Sequence, residues 1–280
     1  MYKFLPLFLL LFVVPSNAQD KLKGSRNVKT EQYDLSTFHS IKVSGELEVG
    51  ILKGNQPMVE IEADDNLHDY ILTEVLDGVL VIKPVKEFQK AKRQELRITF
   101  TDSLKSITAE DEVEISGLQD IYSGDLSLQV KDKARAYFTI KARVFSLTQH
   151  DDSKSELNIN SEKARFQINK SSQVEALVNS PAFEIDLYEK GSASIEGEIQ
   201  ELQVRADQSS KFDGENLSSS QAEVLAQGDC ELKINVTETL RIHATGDSEI
   251  EIYNEPKIEI LEFKGEASIS KKEFSSGLFK

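Results

Sequence analysis

Phe183-Glu184-Ile185-Asp186-Leu187-Tyr188-Glu189-Lys190-Gly191-Ser192-Ala193-Ser194-Ile195 reads as two short alternating strands on either side of a polar turn. Phe183 and Ile185 share one side, and Ala193 and Ile195 share a side again, as the two-residue period of a strand requires. Between them, Gly191 allows positive φ, and the serines can bond the turn's own backbone. Working outward in both directions, the same design recurs. One apolar position per unit marks it: Ile107, Val130, Leu147, Ile168, Ile185, Val204, Val224, Ile242 and Ile260, with a mean spacing of about 19 residues. A second apolar residue sits two positions earlier in most units, and others sit eight and ten positions later, for example Phe138, Ile140, Leu157, Phe212, Ile234 and Ile250. Comparable turns stand at 170–172, 208–210, 227–229, 245–247 and 264–268.

A unit of this length holds too few apolar residues to bury a core of its own. Stacking the units about 4.8 Å apart solves the problem. Like positions then form continuous inward columns, and backbone hydrogen bonds run between rungs. Nine rungs give a rod roughly 40 Å long. A β-sandwich of hairpins is the competing architecture, but few turns here are the two-residue Asn-Gly type that hairpins favour. The expected fold is therefore all-β, a parallel β-helix over 104–270.

Upstream the pattern is less regular. Residues 19–34 are polar and read as a flexible leader, and 35–103 as a strand-rich region capping the solenoid. Within it, the alternating runs 47–52 and 59–63 around Gly54-Asn55 read as a hairpin. Asp64-Asp65-Asn66 reads as the cap of a short helix through Leu67, Tyr70 and Ile71. Leu96-Arg97-Ile98-Thr99-Phe100 is a further strand.

Residues 1–18 have the layout of a cleaved secretory signal: Lys3, an apolar run from Phe4 to Pro15, and small residues before a cut after Ala18. No cysteine follows that run, which excludes a lipid-anchored form, and no later stretch is apolar enough to span a bilayer. Cleavage removes one lysine and no acid, moving the formal charge from -15 to -16. Such a surface repels nucleic acid and anionic lipid and leaves cationic or neutral partners, glycans among them. Cys230 is the only cysteine, so no internal disulfide forms, and its alternation with apolar residues marks it as an inert buried thiol. Residues 271–280 form a tail, whose Lys271-Lys272-Glu273 is expected to shield the open end of the solenoid.

Phe38-His39-Ser40-Ile41-Lys42-Val43-Ser44-Gly45, Ala63-Asp64-Asp65-Asn66-Leu67, Leu76-Asp77-Gly78-Val79-Leu80-Val81-Ile82 and the repeats together resemble the DUF2807 family, the auto-transporter adhesin head GIN domain of Bacteroidetes-type bacteria. The resemblance covers about residues 33–270. The family's Ser-Gly-Ala-Ser-like turn survives best at Gly191-Ser192-Ala193-Ser194 and Gly265-Glu266-Ala267-Ser268 and has drifted elsewhere. It implies a right-handed parallel β-helix without the catalytic residues of pectin-lyase-like proteins, and an adhesive role. It transfers no catalytic or ligand residue.

The chemistry agrees with a non-catalytic protein needing no cofactor or metal. The four histidines, His39, His68, His150 and His243, are scattered without ligand spacing and read as surface residues. His150-Asp151-Asp152 is the densest polar group. It reads as a solvated turn, with a cation or sugar contact as the sharper alternative. Gly228-Asp229 and Gly246-Asp247 recur at one rung position but fall short of the calcium-roll repeat. Asp207, Asp229 and Asp247 are the carboxylates that stacking could pair in a glycosidase manner. No Gly-rich phosphate loop or Gly-x-Ser-x-Gly elbow occurs. Three functional readings follow. The first is an exported binding or adhesion protein for glycan or cell-surface protein partners, periplasmic or on the surface. The second is a periplasmic envelope-structure or stress protein, and the third a polysaccharide-active enzyme.

Overall fold

The computed structural model describes residues 21–102 and 104–274. The signal segment 1–18 and residues 275–280 lie outside that range. The chain is 69% strand and winds into a β-solenoid of about nine turns. Its N-terminal part contains β1 (Leu22–Lys23), β2 (Val28–Asp34), β3 (Ser40–Val43), β4 (Glu48–Lys53), β5 (Met58–Asp64), a 3-10 turn at His68–Tyr70, β6 (Ile71–Leu76), β7 (Val79–Pro84), β8 (Phe88–Gln89) and β9 (Gln94–Phe100). The regular part runs through β10 (Ser106–Ala109), β11 (Glu114–Gly117), β12 (Ile121–Val130), β13 (Arg135–Gln149), β14 (Lys154–Ile168), β15 (Gln173–Leu187), β16 (Ser192–Asp207), β17 (Lys211–Gln227), β18 (Glu231–Thr245), β19 (Glu249–Tyr253), β20 (Lys257–Phe263) and β21 (Ser268–Lys271).

Successive strands of the regular part pair in parallel, rung on rung. The main inward column is Ile107, Leu128, Leu147, Phe166, Ile185, Val204, Val224, Ile242 and Ile260. Two markers expected from sequence are thus displaced by two residues. Leu128 takes the place of Val130, and Phe166 that of Ile168. A shift of two leaves every side chain on its own face, so alternation alone cannot detect it. In the true register the spacings tighten to 18–21 residues. Phe145, Phe166 and Phe183 interlock edge to face along the axis, with centroids 5.9 and 4.9 Å apart.

Each long strand turns a corner without a loop. In β14, Ser155, Leu157, Ile159 and Ser161 face inward, Glu162 and Lys163 both face out, and Ala164, Phe166 and Ile168 face inward again. The second corner is a tight turn whose geometry repeats. Asp111, Asp132, Asp151, Lys170, Glu189 and Gln208 hold φ between 58° and 66° at equivalent places, and Gly228, Gly246 and Gly265 hold 77–84°. Two positions later a small residue points inward, for example Ala134, Ser153, Ser172, Ser210, Cys230 and Ser248, all buried. Ser172 Oγ donates to the carbonyl of Asn169 at 2.6 Å, and Cys230 Sγ to that of Gln227 at 3.0 Å, so the small side chain ties its own turn.

The N-terminal region departs from expectation in three ways. First, residues 21–34 are not a flexible leader. β2 pairs antiparallel with β5 along seven residues, and β1 pairs with β8. Asp64, Asp65 and Asn66 explain why. Buried Asp64 accepts from the backbone N–H groups of Arg26 (2.8 Å) and Lys92 (3.1 Å), Asp65 from Ser25 Oγ and Asn27 Nδ2, and Asn66 Oδ1 from Ser25 N–H. These side chains clamp the leader instead of capping a helix, and only the 3-10 turn follows them. Second, β4 and β5 do not form a hairpin. β9 lies between them, parallel to β4 and antiparallel to β5. Third, the solenoid ladder begins before residue 104. β3 lies between β7 and β10, and β4 between β9 and β11. The chain lays down its second rung, then the first, then the third, which hides the period.

Among the described residues no helix is long and apolar enough to cross a membrane.

Candidate functional site

The second halves of β14 to β18 form one outward polar face. Its central column is Arg165, Glu184, Gln203, Glu223 and Arg241, each on the rung next to the last. The column is symmetric in charge. Arg165 Nη2 donates to Glu184 Oε1 at 2.8 Å, and Arg241 Nη1 to Glu223 Oε2 at 2.9 Å, leaving the neutral amide of Gln203 between two ion pairs. Beside it runs Gln167, Asp186, Arg205, Leu225 and His243. Asp186 is largely buried although it faces out, because Arg165 (3.7 Å) and Arg205 (3.9 Å) close over it. A hydrogen bond to Tyr188 holds the Arg205 guanidinium above its ordinary pKa.

On the other side small or flexible residues, Ala182, Gln221 and Thr239 among them, leave a groove of about 350 Å³ bordered by Lys163, Glu201 and Arg241. Towards the N-terminal rungs the central column becomes a serine ladder, Ser40, Ser106, Ser127 and Ser146, beside Lys42, Thr108, Gln129 and Thr148. A shallower depression of about 660 Å³ lies on these rungs, lined in part by Ser127, Arg143 and Ser146. Hydroxyls, amides and pre-paired ions at a 4.8 Å repeat can contact an extended, hydrogen-bonding polymer at every rung.

The sequence-predicted residues lie along the turn edge of this face. Asp151 occupies the positive-φ position and accepts from Lys170 Nζ at 2.5 Å, which holds its carboxyl below the usual range. Asp152 and His150 flank it, and their N–H groups bond the preceding rung at Asp132 and Val130. Asp229 and Asp247 follow Gly228 and Gly246 on successive turns, whereas Asp207 precedes Gln208 and stands opposite Gln227. The three aspartates therefore do not form one column. Among the described residues no group of three or more His, Cys, Asp or Glu side chains converges as for a metal ion. His68 is buried, its Nε2 3.0 Å from the carbonyl of Lys29, contrary to its surface reading. Cys230 is buried as expected, and burial pushes its thiol pKa up.

Sequence reasoning passed over Arg165, Glu184, Gln203, Glu223 and Arg241. The signal was present, since each immediately precedes a core residue of the main column.

Residues 37–256 match the family model described as "Putative auto-transporter adhesin, head GIN domain". Two solved structures share the fold at a TM-score of 0.65: a "putative adhesin" from Parabacteroides merdae, 14% identical, covering 90% of this chain and 99% of that one, and a "putative adhesin" from Parabacteroides distasonis, 13% identical, covering 90% and 100%. A "putative lipid binding protein" from Parabacteroides distasonis is similar at a TM-score of 0.63 and 16% identity, covering 90% and 99%. No functionally curated protein matches the sequence.

Proposed function

The chain belongs to the auto-transporter adhesin head GIN family (DUF2807), and from that premise we propose that it is an exported, non-catalytic binding module that holds an extended glycan along its outward polar face. The observation that carries this reading is the column Arg165–Glu184–Gln203–Glu223–Arg241 beside its groove. Its charged groups are already paired within the chain, so they present fixed donors and acceptors with little net charge. That suits a polymer rich in hydroxyls better than a polyion. Each contact is weak, and affinity accumulates over rungs by simultaneous engagement.

Two measurements test the reading. Protease treatment of intact cells is expected to digest the protein without lysis; protection until lysis would move it to the periplasm and favour a structural envelope role. A glycan array probed with the purified protein is expected to give length-dependent binding. Gln203→Ala combined with Arg205→Ala should weaken it about tenfold or more, while acid-to-amide changes at Asp207, Asp229 and Asp247 should leave it unchanged. Release of shortened glycan in that assay would favour the polysaccharide-active enzyme instead.

A further inference from the structure

The two ends of the solenoid are finished differently. At the N-terminal end the first-rung strands have paired outer edges, β7 with antiparallel β6 and β9 with antiparallel β5. At the other end, among the described residues, β20 pairs only with β18 and β21 only with β19. Their far edges present unpaired backbone groups, the situation that β proteins ordinarily avoid. Ile258, Ile260 and Phe263 are 43, 56 and 47% exposed, whereas Leu240, Ile242 and Ala244, their partners one rung earlier, are fully buried. The last rung is core laid open. Leu261, 46% exposed, adds to the patch.

This end is also electrically quiet. Residues 255–273 carry four lysines and five glutamates, a formal charge of -1 in a chain of -15. Their ions pair within the chain: Lys257 with Glu259 (2.7 Å), Lys264 with Glu262 (2.6 Å), Lys271 with Glu255 (2.6 Å) and Lys272 with Glu251 (3.0 Å). The expected charged shield is thus spent on its own neighbours, and the apolar edge stays uncovered by it.

We propose that the C-terminal end is a dimerisation surface whose occupant is the same end of a second copy, with the two β20 strands antiparallel across a two-fold axis. Another last rung has the same outline, so the two apolar cross-sections match in extent. The near-neutral end lets two acidic chains meet without like-charge repulsion across the contact. At the N-terminal end antiparallel β6 and β5 cover the first rung, so the last rung of a second copy finds no open parallel ladder to continue there, and the contact closes as an isologous pair instead of a fibre. A two-fold axis normal to the sheet reverses the strand direction while keeping the inner face inward, which sets the antiparallel sense. The competing occupant is the segment 275–280, which offers Leu278 and Phe279.

Sedimentation equilibrium of the mature chain is expected to show a dimer, and Ile260→Lys with Leu261→Lys to weaken it at least a hundredfold with an unchanged thermal melt. If the double variant fails to fold, cross-linking decides. Leu261→Cys should be captured as a dimer by a short bis-maleimide, and Leu76→Cys, exposed on β6 at the opposite end, should not. A wild-type monomer at every concentration overturns the proposal, as does capture through Leu76→Cys alone. A monomer that dimerises only after deletion of 275–280 assigns the end to that segment and likewise overturns it.

Discussion

Gln149 stands in an inward column between Val130 and Ile168. Its Nε2 donates to the carbonyl of Gln173 at 3.2 Å, but its Oε1 is buried without a protein partner. An unmatched buried acceptor costs about 1–3 kcal/mol, and the neighbouring column positions are aliphatic. Gln149→Leu is therefore expected to stabilise the protein by about 1 kcal/mol, read as a higher denaturation midpoint at unchanged slope. Glu110 behaves oppositely. It bridges Lys42 (2.9 Å) and Lys131 (3.0 Å), which sit on the rungs either side of its own. Burial pushes its carboxyl up, but the two ammonium groups outweigh this and hold it below 4.5. A carboxylate with a lowered folded pKa stabilises above its unfolded value, and the gain is lost as pH falls through the folded value. Glu110→Gln should thus cost about 1 kcal/mol near neutrality. The gap between wild type and variant should close as unfolding is followed into acid below about pH 4. A gap independent of pH would place the effect in packing.

At the scale of the element, the tight turn is the recurring device. Gly246 holds φ +79°, and a Cβ there would lie 2.8 Å from Gly228 Cα. Gly246→Ala should destabilise by roughly 2 kcal/mol or more, visible in the thermal midpoint. The N-terminal clamp gives a second test. Asp64→Ala removes two backbone hydrogen bonds from residues 26 and 92. Trypsin should then cut after Arg26 in the folded protein, a site that limited proteolysis of the wild type should spare. Legibility follows the same line. The strand–turn–strand unit around Gly191 is legible because alternation is local, although the positive φ of its turn falls on Glu189 and not on Gly191. The placement of Leu128 over Val130 is not legible, since a two-residue slip conserves the pattern. Asp64-Asp65-Asn66 reads as a helix start because a short polar cluster precedes an apolar run, but its real partners lie 28–43 residues away. The outward column of the candidate site was readable in principle, one position before each core marker, but surface residues carry no burial signal of their own.

For the whole molecule, stability is close to a sum of rungs and their contacts with neighbours. Cys230 offers an internal reporter. Its thiol is buried in a turn and bonded to the carbonyls of Gln208 and Gln227. A disulfide reagent is expected to leave it untouched until the surrounding rungs open. The labelling rate under native conditions then measures that local opening, and prompt labelling of the folded chain would refute the burial. Finally, β3 and β4 lie between strands that come later in the chain on both sides, β7 and β9 on one, β10 and β11 on the other. A polypeptide leaving the ribosome or a translocation channel N-terminus first therefore cannot complete the neighbours of β3 and β4 until residue 117 has emerged. From then on each new stretch lands on a finished edge. The start of this molecule is a seed closed out of chain order, and the remainder is wound onto it in the order in which it is made.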